Sequence, residues 1–277
     1  MVELLGGNDI RQLADELGVV PTKKLGQNFV IDPNTIRKIV AAAKLDGSET
    51  VVEIGPGLGS LTLGLLEVAS SVISVEIDNK MAAAIERTVQ KRAPGKTFYL
   101  VAEDALKVKE LPSAPDALVA NLPYNISVPV LLHFIETFSS LKKGLVLVQT
   151  EVAMRLAASP GSKTYGSPSA KLAWYAEANM AGNVSRNIFW PVPNVDSSLV
   201  YFERRKQHLG SEELRKRTFE IIDAAFSQRR KTLRQALASF AGSPAAAEEL
   251  LTAAGISPQA RGESLSVFDF LKIAQVG

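Results

Sequence analysis

The chain contains no cysteine and only two histidines, His133 and His208. Without cysteine there can be no disulfides, no thiolate nucleophiles and no zinc sites built from thiolates. Two histidines are too few for a metal site of the usual imidazole type, so we expect no metal. Any chemistry must come from other groups.

Long apolar runs are missing as well. No stretch reaches the roughly 18 consecutive apolar residues that a membrane-spanning helix requires. Residues 1–5 show neither a basic stretch ahead of an apolar segment nor a small-residue cleavage site, as a secretory signal would. We therefore expect a cytoplasmic protein that does not associate with membranes.

The composition is that of a globular protein with an uneven charge distribution. Of the 277 residues, 46% are hydrophobic and 22% charged, and this length predicts one α/β domain with a small appendage. The net charge is +2, yet residues 204–234 contain ten Lys and Arg against four Asp and Glu. Such a segment suits a surface that faces a polyanion, although a solvated helix face would have the same composition.

From residue 50 onward, short β-branched runs alternate with longer segments of helical periodicity. This alternation predicts an α/β fold with a doubly wound, mainly parallel sheet, whose ligands lie at the carboxyl ends of the strands. The predicted strands cover residues 51–54, 72–76, 98–101, 117–120 and 144–148. We place a domain boundary near Arg204, so that residues 1–203 form the α/β domain and residues 204–277 a small, all-helical domain.

The sequence also predicts the local structure of three further segments. Residues 159–168 contain turn-forming residues throughout, which predicts a mobile loop. Residues 174–180 have the composition of a strand. Beyond Arg204, apolar residues from Phe219 to Phe240 recur nearly on one face of a helix.

A glycine-rich segment, residues 53–59, falls where the first of these strands turns into a helix. Ser60 stands where the third glycine of the dinucleotide-binding pattern would fall, which argues against an NAD site. Glu53, ahead of the glycines, resembles instead the acidic residue of the first motif of Rossmann-like methyltransferases. Glu76, at the end of the second strand, can accept hydrogen bonds from ribose hydroxyls. Asp104, after the third strand, can accept one from an adenine amino group.

Residues 121–124 follow the fourth predicted strand and match the signature of methyltransferases that act on exocyclic amino nitrogens. The lone pair of an adenine amino group is delocalised into the ring, so the nitrogen must be held in position to attack a sulfonium methyl. The Asn121 side chain and the Leu122 carbonyl can accept both amino hydrogens. Pro123 stiffens the turn, and Tyr124 can stack on an extracted base. An ordinary asparagine-proline turn would explain the tetrapeptide alone, but its place in the sheet favours a catalytic site.

Together these motifs resemble the KsgA-type small-subunit (16S) rRNA adenine N6,N6-dimethyltransferases over nearly the whole chain. The resemblance is carried by residues 23–29, 53–62, 76–78, 104–105, 121–127, 189–197 and 226–233. It implies that S-adenosylmethionine is the methyl donor and that two methyl groups are added to each of two adjacent adenosines in a hairpin near the 3′ end of 16S rRNA. The implied partner is the small ribosomal subunit or its assembly intermediate, with a role in subunit biogenesis. We expect a monomer.

The resemblance also implies roles for individual residues. The donor-binding residues are implied to be Asn28, Val30, Gly55, Glu76, Asp104 and Asn121. The catalytic and target-adenine residues are implied to be Asn121, Leu122, Pro123, Tyr124 and Phe189. In the second domain, helical periodicity places Arg229, Arg230, Lys231 and Arg234 on about one and a half turns, where they can track RNA phosphates.

Two other functions compete with this one. The Erm-type 23S rRNA adenine methyltransferases share the catalytic motif, but residues 55–59 and 228–232 favour the KsgA type. A ribosome-assembly or nucleic-acid-binding factor could keep the fold without catalysis. The intact residues 121–124 and Glu76 argue against such a factor.

Overall fold

The computed structural model describes residues 1–18 and 28–276. Residues 23–27 of the motif that carries the family resemblance lie outside these ranges. The chain divides into two compact units, Met1–Ala153 with Met180–Glu203 and Met154–Asn179 with Arg204–Gly277.

The strands are β1 (Phe29–Val30), β2 (Thr50–Ile54), β3 (Ser71–Val75), β4 (Thr97–Val101), β5 (Ala117–Asn121), β6 (Lys143–Gln149), β7 (Ala176–Val184), β8 (Phe189–Trp190) and β9 (Ser197–Arg204). Within the described residues, most of them form one seven-stranded sheet, in the order β4-β3-β2-β5-β6-β9-β7. The pairs among β2 to β6 are parallel, whereas β9 runs antiparallel to β6, so the predicted doubly wound, mainly parallel sheet is confirmed. A short antiparallel pair, β1 with β8, lies apart from it.

The strand order reverses between β2 and β5. The chain moves outward from β2 through β3 to β4, then returns to place β5 on the other side of β2. In open α/β sheets, such a reversal opens a crevice at the carboxyl ends of the two strands. The central strands are deeply buried, because their valine, leucine and isoleucine side chains pack against helices on both faces.

Several helices begin at a residue whose side chain caps the first turn. Asp32 accepts hydrogen bonds from the Asn34 and Thr35 N–H groups and is followed by Pro33, and Asp78 caps a second helix in the same way. No helix in the described ranges is both long and apolar enough to cross a membrane. The helices are α1 (Gly7–Glu16), α2 (Pro33–Ala42), α3 (Ser60–Val68), α4 (Asn79–Arg92), α5 (Ser127–Thr137), α6 (Thr150–Leu156), α7 (Ser167–Tyr175), α8 (Glu212–Ser227), α9 (Leu233–Ala236), α10 (Ala238–Ala241), α11 (Pro244–Ala253) and α12 (Val267–Val276).

The second unit contains more of the chain than residues 204–277. Tyr165 and Ala170 are fully buried in one apolar cluster with Ile221 and Phe270, so residues 154–179 pack with the C-terminal helices. The sequence-based boundary placed these residues in the first domain. The difference arises because the local pattern does not reveal which core a short segment joins.

The segment predicted as a mobile loop is held by specific contacts. The Gly161 N–H donates to the Glu263 carbonyl, and the Arg229 side chain donates to the Lys163 carbonyl. The Tyr165 ring lies 1% exposed in the core of the unit. The Ser169 hydroxyl accepts from the Gly166 N–H at the start of α7.

The strand predicted over residues 174–180 begins too early. Trp174 and Tyr175 are the last residues of α7, and β7 starts at Ala176. The aromatic residues suggested a strand, but both side chains pack edge-on against Phe219 of α8 from the end of a helix. Tertiary packing therefore overrides their local preference.

The prediction that Arg229, Arg230, Lys231 and Arg234 lie on successive turns of one helix is also wrong. Helix α8 ends at Ser227, residues 228–230 form a turn, and α9 begins only at Leu233. Thr232 has an extended backbone, and the Leu233 N–H donates to the Ala260 carbonyl. The apolar spacing continues across the break, because buried residues on both helices face one core, and it therefore mimics one long helix.

Candidate active site

A cavity of about 380 Å³ lies at the carboxyl ends of β2, β3 and β5, where the strand order reverses. It brings together most of the residues predicted to bind the methyl donor and part of the predicted catalytic motif. The lining residues are Asn28, Phe29, Val30, Glu53, Gly55, Pro56, Gly57, Leu58, Ser60, Leu61, Glu76, Ile77, Asp78, Met81, Asn121, Pro123, Asn125 and Ile126.

The turn between β2 and α3 forms one wall of this cavity. Gly55 and Gly57 have φ values of 67° and 55°, a left-handed conformation that L side chains rarely adopt. A Cβ atom on Gly57 would lie 2.7 Å from Cε1 of Phe29, so a larger residue would clash with the opposite wall. The glycines thus allow the backbone to pass close to β1 and to a bound molecule.

Glu53 is a polar residue of the cavity wall that the sequence analysis did not include among the site residues. It is 1% exposed and accepts hydrogen bonds from the Thr62 hydroxyl at 2.6 Å and the Ser74 hydroxyl at 2.9 Å. Burial raises the pKa of Glu53 to about 7, with the neighbouring Glu76 carboxylate adding to the effect. The signal was present, since this is the acidic residue that precedes the glycines, but its role was left unassigned.

Glu76 lies at the end of β3 and faces the same cavity. The residue is 8% exposed, and its carboxylate accepts a hydrogen bond from the Asp78 N–H at 2.9 Å. Burial raises the pKa of Glu76, while hydrogen bonds from the Asp78 and Gly57 backbones oppose that rise. The adjacent Ile77 is 67% exposed and adds an apolar side chain to the lining of the same cavity.

Asn121 is oriented by a residue far away in the sequence. Its Nδ2 donates to the Asn28 carbonyl at 3.0 Å, and this bond leaves Oδ1 as the acceptor end of the amide. The next residue, Leu122, is buried, and its N–H donates to the Leu147 carbonyl of β6. Val30, on β1, is 3% exposed and also lines the cavity.

The two aromatic residues of the predicted adenine site lie in different environments. The Tyr124 hydroxyl lies 2.8 Å from Oγ of Ser197, and burial raises the pKa of Tyr124, so the phenol stays protonated at neutral pH. Phe189 is only 1% exposed, belongs to the core of the first unit and pairs with Val30 across the β1-β8 ribbon. Neither aromatic residue is among those that line the cavity.

Asp104 also lies outside the cavity lining. It follows β4, the strand next to β3, and its carboxylate accepts from the Leu106 N–H at 3.0 Å. The Lys107 ammonium lies 3.8 Å from the same carboxylate. The structure thus places Asp104 at the expected edge of the sheet but in a turn that its own side chain stabilises.

The predicted RNA-binding residues of the second unit fall into two groups. Arg229 pairs with Glu263 at 3.1 Å, and Arg234 pairs with Glu248 at 2.7 Å. Arg230 and Lys231 are exposed at the turn that follows α8. The first group therefore has structural partners within the unit, whereas the second faces solvent.

Comparisons with known proteins place this geometry in a family. The model of the family described as ribosomal RNA adenine dimethylase matches residues 21–276. A protein of Arthrobacter sp., named ribosomal RNA small subunit methyltransferase A, is 59% identical over 98% of this chain and 92% of its own length.

Two solved structures have the same fold. A dimethyladenosine transferase from Plasmodium falciparum is 26% identical with a TM-score of 0.74, covering 87% of this chain and 94% of that one. The 23S rRNA methyltransferase ErmE is 25% identical with a TM-score of 0.65, covering 90% and 98%. These matches confirm the resemblance inferred from the motifs, the Rossmann-like fold and the prediction of a methyltransferase.

Proposed function

Because the chain belongs to the ribosomal RNA adenine dimethylase family, we propose that it dimethylates adenosines of small-subunit rRNA at N6, using S-adenosylmethionine. The finer target that we propose is two adjacent adenosines in a hairpin near the 3′ end of 16S rRNA. Curated relatives that are 55% to 59% identical carry the small-subunit name, which supports this subunit over the large one. The observation that carries the proposal is the Asn121 amide, held by the Asn28 carbonyl at the edge of the cavity.

The residues of the cavity fit S-adenosylmethionine. Its volume of about 380 Å³ lies in the usual range for a small-molecule site, and Glu76 provides a buried carboxylate that can accept from both ribose hydroxyls. Asn28, Val30 and Gly55 line the same cavity, and we propose that their backbone groups contact the donor. We further propose that Asp104 accepts from the adenine amino group. When bound, the donor supplies a methyl group on a sulfonium centre.

The catalytic role that we propose for Asn121 and Leu122 is to hold the target amino group. Oδ1 of Asn121 and the Leu122 carbonyl accept the two amino hydrogens, which directs the nitrogen lone pair at the methyl group. Pro123 keeps the two acceptors in a rigid turn. Once the nitrogen carries the new methyl group it is positively charged, and its N–H becomes acidic. The proton can then pass to water without a strong general base. This agrees with a Tyr124 hydroxyl that stays protonated, because its pKa is raised by burial.

The aromatic residues would hold the extracted base. Tyr124 can stack on one face, with its hydroxyl anchored at Ser197. Phe189, proposed for the other face, is buried at 1% exposure, so contact with a base requires displacement of the short β1-β8 pair. The pair has only two residues in each strand, which keeps such a movement local.

We propose that the protein acts as a monomer on the small subunit or its assembly intermediate. The second unit would contribute affinity for the RNA. Arg230 and Lys231 can contact phosphates directly, since both are exposed. Arg229 and Arg234 would reach phosphates only by exchanging their carboxylate partners, Glu263 and Glu248. The proposed contribution is therefore electrostatic and independent of base sequence.

The proposal can be tested by methyl transfer. Purified protein, labelled S-adenosylmethionine and under-methylated small subunits should yield N6,N6-dimethyladenosine, identified by mass spectrometry after digestion to nucleosides. Large subunits and free 23S rRNA serve as controls. Transfer to large-subunit rRNA alone would assign the chain to the activity of ErmE instead. No transfer to any RNA, with subunit binding retained, would indicate a non-catalytic assembly factor.

A further inference from the structure

A second cavity, of about 230 Å³, lies wholly within the second unit. Its walls come from residues 156–178, from Arg205 and from residues 266–268 at the start of α12. It is smaller than the cavity of about 380 Å³ proposed for the methyl donor, so it suits a single planar ring system. None of its lining residues has a part in the methyl transfer proposed above.

Tyr165 brings an unpaired hydroxyl to this cavity. The residue lines the cavity and is 1% exposed, and its hydroxyl oxygen is buried with no hydrogen-bond partner in residues 1–18 and 28–276. Burial, together with the nearby Asp269 carboxylate, raises the pKa of Tyr165 to about 12, so the phenol keeps its proton. Buried hydroxyls in folded proteins are nearly always paired, so the missing acceptor points to a ligand atom.

Phe268 adds an aromatic surface to the same cavity. It is 45% exposed, although it lies in the first turn of α12. The Arg205 guanidinium lies 5.2 Å from the centre of its ring and is itself held by the Ala173 carbonyl at 2.7 Å and by Glu177 at 3.1 Å. A planar ring stacked on Phe268 would therefore meet a wall that is already fixed in place.

Exposed cations adjoin the cavity walls. Lys163 and Lys206 are both exposed, and each stands within two residues of a residue that lines the cavity. The Arg229 side chain donates to the Lys163 carbonyl, which ties this segment to the turn that contains the exposed Arg230 and Lys231. Cations that can follow a phosphate backbone, next to an aromatic ring on which a base can stack, are typical of sites for unpaired nucleotides.

We propose that this cavity binds one unpaired base of the rRNA substrate. The inference rests on the proposed function and adds a contact with a base to the phosphate contacts assigned to the second unit. The base stacks on Phe268, an acceptor on its edge receives the Tyr165 hydroxyl, and the exposed lysines bind the flanking phosphates. Folded RNA presents such bases in its loops and bulges.

The first test measures affinity for small subunits by filter retention over a range of salt concentrations. Phe268→Ala should lower the affinity about tenfold, because it removes the stacking surface. The slope of log affinity against log salt should stay unchanged, since no charge is lost. Phe268→Trp, which keeps an aromatic ring, should retain most of the affinity. Tyr165→Phe keeps the buried ring and should lower the affinity about threefold through the lost hydrogen bond.

Tyr99→Ala is the matched control. Tyr99 is an aromatic residue of the first unit that is 42% exposed and lines neither cavity, so its loss should leave the affinity unchanged. Thermal melting of the free proteins checks that each variant is folded. Tyr165→Phe should melt with the wild type, because the hydroxyl has no partner in the free protein.

Ultraviolet cross-linking tests the contact directly. Complexes of the wild type with small subunits are irradiated and digested with nuclease and trypsin, and a nucleotide adduct is expected on the tryptic peptide of residues 262–272, which contains Phe268. Wild-type affinity in both Phe268→Ala and Tyr165→Phe would overturn the inference. Lowered affinity without an adduct on this peptide would also overturn it, and would assign the cavity to a ribosomal protein. Methyl transfer by the wild type separates these outcomes from failure of the proposed function, which would show as no transfer to small subunits.

Discussion

The two units differ in how their functional residues are brought together. In the first unit, residues from four separate segments, from Asn28 to Ile126, line one cavity. In the second unit, the basic residues of one short segment are divided between ion pairs and solvent. The first arrangement follows from sheet topology, which gathers strand ends at one edge. The second arrangement depends on surface packing, where any nearby carboxylate can form an ion pair with an arginine side chain.

This difference leads to different expectations for substitutions. A side chain in the cavity acts on one atom of a bound molecule in a site shielded from water. Its removal should therefore have a large and specific effect on activity. A surface cation contributes to a field that salt screens and that other cations share, so its loss should be mild. The three predictions below test this contrast, beginning with the largest effect.

Asn121→Ala should reduce the rate of methyl transfer by roughly 10³-fold, because it removes an acceptor that positions the amino nitrogen. Binding to small subunits should change little, since the Asn121 side chain lies within the cavity. Single-turnover transfer and subunit binding by filter retention measure the two effects. Asn187→Ala, at an exposed position outside the cavity, is the control and should match the wild type. If subunit binding fell as steeply as transfer, Asn121 would have a structural role.

Glu53→Gln should change how stability depends on pH. The folded-state pKa is raised from 4.5 to about 7, so between these values the folded protein holds a proton that the unfolded chain has released. Wild-type stability should therefore fall as pH rises from about 4.5 to 7 and level off above that. This pKa difference corresponds to a change of roughly 3 kcal/mol in the free energy of unfolding. The neutral glutamine should remove the part of this decline that Glu53 causes.

Urea unfolding at several pH values between 4.5 and 8 measures the effect. The difference between Glu53→Gln and the wild type should grow with pH in favour of the variant. Glu110→Gln, at an exposed position, is the control and should leave the wild-type pH profile in place. Parallel profiles for Glu53→Gln and the wild type would mean that Glu53 is ionised throughout, and that the cavity wall is more polar than its burial indicates.

The double variant Arg230→Ala, Lys231→Ala should have the smallest effect. Affinity for small subunits should fall by about tenfold or less, and the slope of log affinity against log salt should flatten by about 1 to 2. Methyl transfer at saturating subunit concentration should be unchanged. Lys96→Ala with Lys109→Ala, two exposed lysines of the first unit, is the control. An unaltered salt slope would mean that the turn after α8 does not contact phosphates.

The sequence predicted the first unit better than the second for a physical reason. Buried parallel strands such as β2 and β5 have continuous apolar runs, and capping residues such as Asp32 and Asp78 mark helix starts locally. The break between α8 and α9 has no such mark, because buried residues on both sides keep the spacing of one helix. The anchoring of residues 159–166 depends on distant partners, such as Glu263 and the core around Tyr165.

The fold class, the family and the kinds of groups at the site follow from the sequence, since glycines, strand-end carboxylates and residues 121–124 are local patterns. How those groups are oriented and how acidic they are depends on the folded structure. Folding turned the Asn121 amide through a bond to Asn28, 93 residues away, gave Glu53 a raised pKa by burial, and paired its carboxylate with the Thr62 and Ser74 hydroxyls. Orientation, desolvation and pairing depend on neighbours that are distant along the chain, so they emerge only when the chain is folded.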